Sequence, residues 1–330
     1  MEAISHSTIK PVTQATSGVE SVKVNRIVTH SGPFHCDDVF AVGLFKLLNP
    51  GAEIIRTREK TVLAEGGKDI STVLVDVGGE FNPASGVFDH HFVNAPTRSN
   101  GIPYASFGMV AEYLYPARVH NSGVFHQLIT AIDSSDNGVK QDGWTLSKTV
   151  HKCNPIANQD FDGRFESLVE IARQIIKGVF EEEYSLEFAV GRLETHPLVV
   201  SWVKEHDAEL EASSERVRKA FTQEGHLIVL DRYEPALMET AHASPLNKLF
   251  SVFPSPGGEW MVQQIPQSQG SFTGRKKLPS HWAGKRGEDL DALSSVEGSV
   301  FCHPGRFIAG NKTREGAIQM GEIAACTEDE

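Results

Sequence analysis

Val24-Asn25-Arg26-Ile27-Val28-Thr29-His30-Ser31-Gly32-Pro33-Phe34-His35-Cys36-Asp37-Asp38 is the stretch from which the rest of the chain can be read. Its opening residues are rich in β-branched side chains, the pattern of a short strand. Asp37 or Asp38 is then placed to cap a helix with Phe40, Ala41, Leu44, Leu47 and Leu48 on one face, and Asn49-Pro50-Gly51 ends it. Further along, residues 52–56, 72–77 and 86–89 read as strands, and residues 104–115 and 124–132 as helices. Strands alternating with helices predict a parallel sheet with helical crossovers. In such sheets bound groups sit beyond the carboxyl ends of the strands, where His30, Asp76 and Asp89 all fall. The expectation is an α/β fold: an N-terminal, mostly parallel sheet with helices on both faces, and a smaller C-terminal α/β domain.

The chemistry-bearing residues concentrate in that first half. His30, His35, Asp37 and Asp38 form one run, Asp89-His90-His91 a second, and Asp76 closes an apolar Val-Leu-Val run between them. Neutral imidazole and carboxylate together suit a small divalent ion such as manganese, zinc or iron. Seven such side chains (His30, His35, Asp37, Asp38, Asp76, His90, His91) exceed what one ion needs. The surplus predicts two ions and hydrolysis of a phosphate ester. An acid ahead of Gly78-Gly79 could bridge two ions held roughly 4 Å apart. One histidine of the His90-His91 pair could bind metal while the other meets the phosphate, with Asp89 orienting an imidazole. One of Asp133 and Asp136, at the end of an apolar helix, could complete the set.

Plainer readings exist for each group. Helix capping accounts for one of Asp37 and Asp38 but leaves the other, with His30 and His35, unexplained. Asp76 could be an ordinary Asx-turn acid. Asp89-His90-His91 could be a hydrogen-bonded pair on a surface loop, and Asp133 and Asp136 could belong to a helix terminus before an Asn-Gly turn. Cys36 beside His35 suggests a thiol nucleophile, but neighbours in a helix do not face each other, and the carboxylates would then have no role.

The chain has 330 residues, too many for one ordinary core, which predicts two domains. At 40% hydrophobic and 22% charged residues its composition is that of a soluble globular protein, and no apolar stretch is long enough to span a membrane. The cysteines Cys36, Cys153, Cys302 and Cys326 are far apart, which predicts free thiols in a reducing compartment. Residues 1–22 read as a loose polar tail, with Lys10 as its one basic residue against Glu2 and Glu20, unlike an Arg-rich transit peptide.

The net charge of −12 argues against wholesale phosphate binding, yet the charge is uneven. Between Gly270 and Arg314 eight basic and four acidic residues give +4, which leaves −16 for the remainder. Arg275, Arg286, His303, Arg306 and Lys312 are the candidate substrate-binding residues. His303-Pro304-Gly305-Arg306 reads as a glycine-containing loop before a helix capped by Thr313, an arrangement suited to an anion. Trp260, Phe272 and Trp282 are candidates for base stacking, although core packing is the commoner role of such residues. Residues 164–184 form a strongly amphipathic pattern, read as a helix lying between the two domains. Residues 199–221 form a second helix, and residues 226–231, 247–253, 259–265 and 300–302 are further strands.

Taken in order, Thr29-His30-Ser31-Gly32-Pro33-Phe34-His35-Cys36-Asp37-Asp38, Val75-Asp76-Val77-Gly78-Gly79, Phe88-Asp89-His90-His91, Ala131-Ile132-Asp133-Ser134-Ser135-Asp136-Asn137-Gly138 and Gly305-Arg306-Phe307-Ile308-Ala309-Gly310 resemble the DHH phosphoesterase superfamily. Within it the chain is most similar to the melanocyte-proliferating-gene exonuclease family. The resemblance implies an N-terminal domain carrying two divalent ions, normally manganese, and a smaller C-terminal substrate domain closing a cleft. Residues 23–160 would form the metal-binding domain, 161–222 a helical connector and 223–330 the substrate domain. His30, His35, Asp37, Asp76, His90 and one of Asp133 or Asp136 resemble its metal ligands. Asp89 and His91 resemble its signature partners and, with Asp38, are the expected catalytic residues. His-Cys-Asp-Asp departs from the superfamily's usual Asp-x-Asp spacing, and its glycine-rich C-terminal signature is only partly present. The family implies 3′–5′ exonuclease action on RNA or short oligonucleotides, with nuclear and mitochondrial locations; a cytoplasmic one is also compatible. The other readings are hydrolysis of pyrophosphate or a small nucleotide, and a metal-stabilised RNA-binding protein whose site has decayed. No membrane partner is expected, and a homo-oligomer is compatible with the sequence.

Overall fold

In a computed structural model, residues 23–121, 123–139, 146–156, 160–181, 184–255, 257–271 and 273–328 are described. The expected tail over residues 1–22 and the candidate Phe272 lie outside them. The chain divides into two units, Met1–His206 and Asp207–Glu330.

The first unit is built on strands β1 (Arg26–Thr29), β2 (Glu53–Arg56), β3 (Thr72–Val75), β4 (Phe81–Asn82) and β5 (Val87–Phe88), in the order β2-β1-β3-β5-β4. Pairing is parallel except at the edge, where β4 runs antiparallel to β5. Its helices are α1 (Cys36–Leu48), α2 (Lys60–Gly66), α3 (Ser106–Leu114), α4 (Pro116–Asn121), α5 (Gly123–Asp136), α6 (Leu146–Lys152), α7 (Phe161–Phe180) and α8 (Leu186–Glu194), and α9 (Pro197–Lys219) crosses the boundary. One sheet face carries the main core, where Ile27, Val73 and Val75 meet Phe40, Phe45, Phe107, Phe125 and Phe165 from the helices. The other face buries Val28, Leu74 and Val87, with Leu63 of α2 packed against them. The strand residues are apolar on both faces because both faces are covered.

Helix α7 corrects the expected organisation. Its stripe of Phe165, Leu168, Val169, Ala172, Ile175 and Ile176 is buried in the first unit's own core. Gly43 of α1 lies against α7, where a Cβ would sit 3.4 Å from Ala172 Cβ. Residues 161–222 are therefore no separate connector: α7 and α8 belong to the first unit. An apolar stripe announces burial but does not say against what.

The second unit contains β6 (Leu227–Val229), β7 (Phe250–Pro254), β8 (Trp260–Gln264), β9 (Ser299–Cys302) and β10 (Ile308–Asn311), ordered β6-β7-β8-β10-β9, with α10 (Leu237–Thr240), α11 (Gly287–Ser294) and α12 (Arg314–Cys326). Only β6 and β7 run parallel; the other pairs are antiparallel. Leu227, Phe250, Val252 and Val262 pack with Ala317, Met320 and Ala324 of α12, while Ile228, Phe253, Met261 and Ile265 pack with Val217 of α9. Thr313 caps α12 as expected, its hydroxyl accepting from Gly316 N at 3.0 Å.

Candidate metal centre

Parallel pairing sets the carboxyl ends of β1, β3 and β5 side by side, and each strand is followed by its polar residue: His30, Asp76, and then Asp89-His90-His91. The N-terminus of α1 adds His35 and Asp37, and the last residue of α5 adds Asp136. Asp76 lies at the middle. Its carboxylate is 3.3 Å from His30 Nε2, 3.3 Å from His90 Nε2 and 3.4 Å from His91 Nδ1. His90 Nε2 lies 3.1 Å from Asp136 and 3.9 Å from Asp37, and His35 Nδ1 lies 3.7 Å from Asp136. Three groups have ligand atoms within 4.8 Å of one another: His30, His35 and Asp76; Asp76, His90 and His91; and His35, Asp37 and Asp136. Asp76 belongs to two of these groups.

The centre packs carboxylates and imidazoles together in a buried setting. Burial pushes the Asp37 carboxyl well above the ordinary carboxylate range, and the charges of Asp76, Asp136 and Asp38 push the same way. Burial also opposes charge on Asp76, but the adjacent His30 and His90 imidazoles, each 3.3 Å away, outweigh it and hold that carboxyl below the usual range. Burial favours neutral His30, yet Asp38 and Asp76 prevail and lift its pKa to about 9. For His90, Asp136 and Asp76 overcome burial and lift the pKa to about 10. His30 Nε2, Asp37 Oδ1, Asp38 Oδ2, Asp76 Oδ2 and His90 Nε2 are buried without a hydrogen-bond partner, although ion-pair distances connect several of them. Orphaned polar atoms normally cost about 1–3 kcal/mol each. Five gathered at one centre, all nitrogen or carboxylate oxygen, fit divalent ions.

The backbone is shaped around this arrangement. Asp76 takes a left-handed conformation, φ 58°, unusual for a residue with a side chain. Gly79, at φ 74°, follows in a conformation that suits glycine, and its amide donates to Asp89 Oδ2 at 2.6 Å. Asp89 Oδ1 lies 2.8 Å from His91 Nδ1, which leaves the far edge of that imidazole facing outward.

Two supporting residues escaped the sequence reading. Ser106 opens α3; its hydroxyl donates to Asp76 Oδ1 at 2.9 Å and its amide to Asp37 Oδ2 at 3.3 Å. Asn154 brackets Phe34, accepting from its amide and donating to its carbonyl, both at 2.8 Å, immediately before His35. Ser106, opening a helical pattern, was readable as a helix-start residue; Asn154, 120 residues from its partner, left no local signal.

Two expectations change. Asp133 does not join the centre: it is fully buried, paired with Arg98 at 2.5 Å and bonded by Gly108 N at 3.1 Å. Burial raises its pKa to about 6 against the pull of Arg98. It lies one helical turn before Asp136 and on nearly the same helix face, but Arg98 and the Gly108 amide occupy its carboxylate, and Asp136 is the one within reach of His35 and His90. Asp38, expected among the catalytic residues, turns to the start of α1 and to His30: Oδ1 accepts from His35 N at 3.0 Å, and Oδ2 lies 3.0 Å from His30 Nε2. The cap itself is His35, with Asp38 completing the box. Cys36, already set aside as a nucleophile, is buried, and burial raises its pKa well above the ordinary value, the reverse of an activated thiolate.

The sequence matches the family model described as Uncharacterised protein family (UPF0160), the MYG1 exonuclease family, over residues 26–325. The chain belongs to this family. It is 29% identical to the human MYG1 exonuclease, covering 89% of this chain and 84% of the relative. It is 30% identical to the MYG1 protein of Dictyostelium discoideum, over 89% of this chain and 94% of the other, and 26% identical to the Saccharomyces cerevisiae MYG1 protein YER156C, over 93% and 99%. Among solved structures, a pGpG-specific phosphodiesterase, PggH from Vibrio cholerae, aligns with TM-score 0.48 and 12% identity, covering 92% of this chain and 99% of that one. A likeness at that level carries no functional argument.

In this MYG1-family chain the expected substrate-binding residues fall in the second unit, and they do not form one patch. Arg275 is committed internally, donating to the carbonyls of His242, Ser244, Pro245 and Lys248 at 2.6–2.9 Å. It holds a loop together, which corrects its assignment to substrate. The expected loop before α12 is a β-hairpin, with residues 303–307 at its tip. His303 and Phe307 are exposed there with ring centres 4.3 Å apart, and Arg306 turns with φ 61° to donate to Leu278 O at 3.2 Å. Arg286 is exposed, its guanidinium 5.8 Å from the Phe301 ring. Lys312 lies at the other end of β10, its amide bonded to Gly298 O. Trp282 is fully buried, and Trp260 is half-buried with Arg314 5.7 Å from its ring.

Proposed function

We propose that this chain is a metal-dependent phosphodiesterase of the DHH type that removes nucleotides from RNA or short oligonucleotides, with 3′–5′ polarity. The observation that carries the reading is the convergence of His30, His35, Asp37, Asp76, His90 and Asp136 on one sheet margin, with buried donor atoms left unsatisfied. Membership of a family whose mammalian relatives are named exonucleases supports it.

His30, His35 and Asp76 would hold one divalent ion, and Asp37, Asp76, His90 and Asp136 a second, with Asp76 shared. Such ions, manganese by preference, supply Lewis acidity at the phosphate and acidify the attacking water. The protein's part is positioning. Asp38 and Ser106 fix His30, Asp37 and Asp76, so the ligand set is preorganised. Asp89 holds His91 by Nδ1, so Nε2 of that half-exposed ring faces the substrate. Asp89 lifts the His91 pKa, which enriches the protonated form that can donate to a phosphate oxygen or to the leaving group.

The test is a manganese assay on labelled RNA, DNA, dinucleotides and pyrophosphate, with label at either end to read polarity. RNA or dinucleotide cleavage is expected, and Asp37→Ala or His90→Ala should abolish it while leaving the circular dichroism spectrum unchanged. Unchanged turnover in either purified variant defeats the proposal. Orthophosphate release from pyrophosphate alone would move the substrate to a small phosphoanhydride. Oligonucleotide binding at full metal occupancy without any cleavage would indicate a decayed site.

A further inference from the structure

A phosphodiester substrate also needs a cation that is not already committed to an acid. Near the centre, Arg56 and Arg98 are committed. Arg56 bonds Asp162 at 2.9 Å and Gly32 O at 2.6 Å, and it lies 4.6 Å from the Phe165 ring centre. Arg98 is paired with Asp133. Arg58 differs from both. It follows β2, whose Arg56 sits opposite Thr29 of β1, so Arg58 comes level with Ser31. Its Nε donates to Ser31 O at 3.3 Å, and the same oxygen lies 3.4 Å from His30 Nδ1. A single carbonyl oxygen thus links the guanidinium to an imidazole whose opposite nitrogen faces Asp38 and Asp76. Arg58 is exposed, and among the described residues no carboxylate pairs with it.

With Nε anchored, the two Nη groups form a fork whose spacing matches two phosphate oxygens. We propose that Arg58 is a substrate-binding residue, gripping a backbone phosphate of a single-stranded oligonucleotide beside the scissile one. The proposal rests on reading the centre as a phosphodiesterase site. It also accounts for substrate attraction to a first unit whose buried centre is rich in acids: the guanidinium supplies the positive charge at the rim while the centre handles the reacting phosphate.

The test compares the full-length wild type with Arg58→Gln and Arg58→Lys. Affinity for a cleavage-resistant phosphorothioate oligoribonucleotide is read by fluorescence anisotropy in manganese across a salt series, beside steady-state cleavage and manganese titration. For Arg58→Gln, Kd and KM should each rise about tenfold, and the slope of log Kd against log salt should fall by about 0.7. Manganese affinity should stay at the wild-type value. Arg58→Lys, which keeps the charge but loses the fork, should fall between the two. An active wild type with unchanged Kd and salt slope in Arg58→Gln overturns this inference alone. Loss of manganese binding in Arg58→Gln also overturns it, because the residue would then only be supporting the His30 loop. A wild type that holds manganese yet neither binds nor cleaves oligonucleotides brings down the hydrolase reading and this inference together.

Discussion

Asp76 joins two demands in one residue: a carboxylate shared between two groups of candidate ligands and a left-handed backbone at φ 58°. Asparagine tolerates that conformation and keeps the side chain's size, so Asp76→Asn should fold normally while its manganese affinity falls at least about a hundredfold. Calorimetric titration checks this, and retained affinity would remove Asp76 from the centre. Asp76→Ala adds a backbone penalty of about 1 kcal/mol, visible as a lower Tm. The histidines give a second prediction. In the metal-free protein the folded pKa of His30 is about 9 and that of His90 about 10, both raised above the ordinary 6.5. Their contribution to metal-free stability is therefore complete below pH 6.5 and is lost as pH climbs through 9 and 10. At pH 7 an arriving cation must displace those protons, so binding should release roughly two and strengthen with rising pH. Titration in buffers of different ionisation enthalpy counts the protons; zero release would contradict the assigned ligands. Residue by residue, the centre was largely legible, since histidine and aspartate at the ends of apolar strands have few other uses. The choice between Asp133 and Asp136 was not, because the pairing with Arg98 joins positions 35 residues apart.

At the scale of elements, the helix starts do the positioning. The first residue of α3 bonds two carboxylates of the centre, and Asn154, just past α6, fixes the backbone that leads into α1. Asn154→Ala leaves the amide and the carbonyl of Phe34 unpaired in a buried setting, at a cost of about 2–3 kcal/mol. It should lower Tm and weaken manganese binding together. Ser106→Ala removes one hydroxyl bond and keeps the amide, so it should weaken manganese binding about tenfold with little change in Tm. Paired melting and titration curves separate the two. Equal losses of stability in both would mean that Ser106 serves the fold more than the site. The sequence showed the strands before α1 and α3 because their apolar, β-branched runs are distinctive. It hid β10, whose Ile308-Ala309-Gly310-Asn311 has weak strand propensity and pairs because Ala309, Gly310 and Asn311 are buried between β8 and β9. It also misplaced α7, whose partner α1 lies more than a hundred residues earlier.

At the scale of the whole molecule, the candidate ligands all belong to Met1–His206, while Asp207–Glu330 has its own sheet and its own cores. A cation that binds the native form of one unit stabilises that unit by mass action, about 2.7 kcal/mol at a hundred times Kd. The second unit gains nothing directly, because none of the three ligand groups includes one of its residues. Differential scanning calorimetry of the full chain, first in chelator and then in manganese, should therefore move one melting component upward by several degrees and leave the other where it was. Asp37→Ala should abolish the shift without displacing the unmoved component. A helix shared by both units, α9, is the route by which the two could melt as one. In that case a single transition would shift as a whole, and the division at His206 would describe contacts without describing cooperativity. Two components with the manganese response confined to one would instead show that the first unit binds the cation as a cooperative unit of its own.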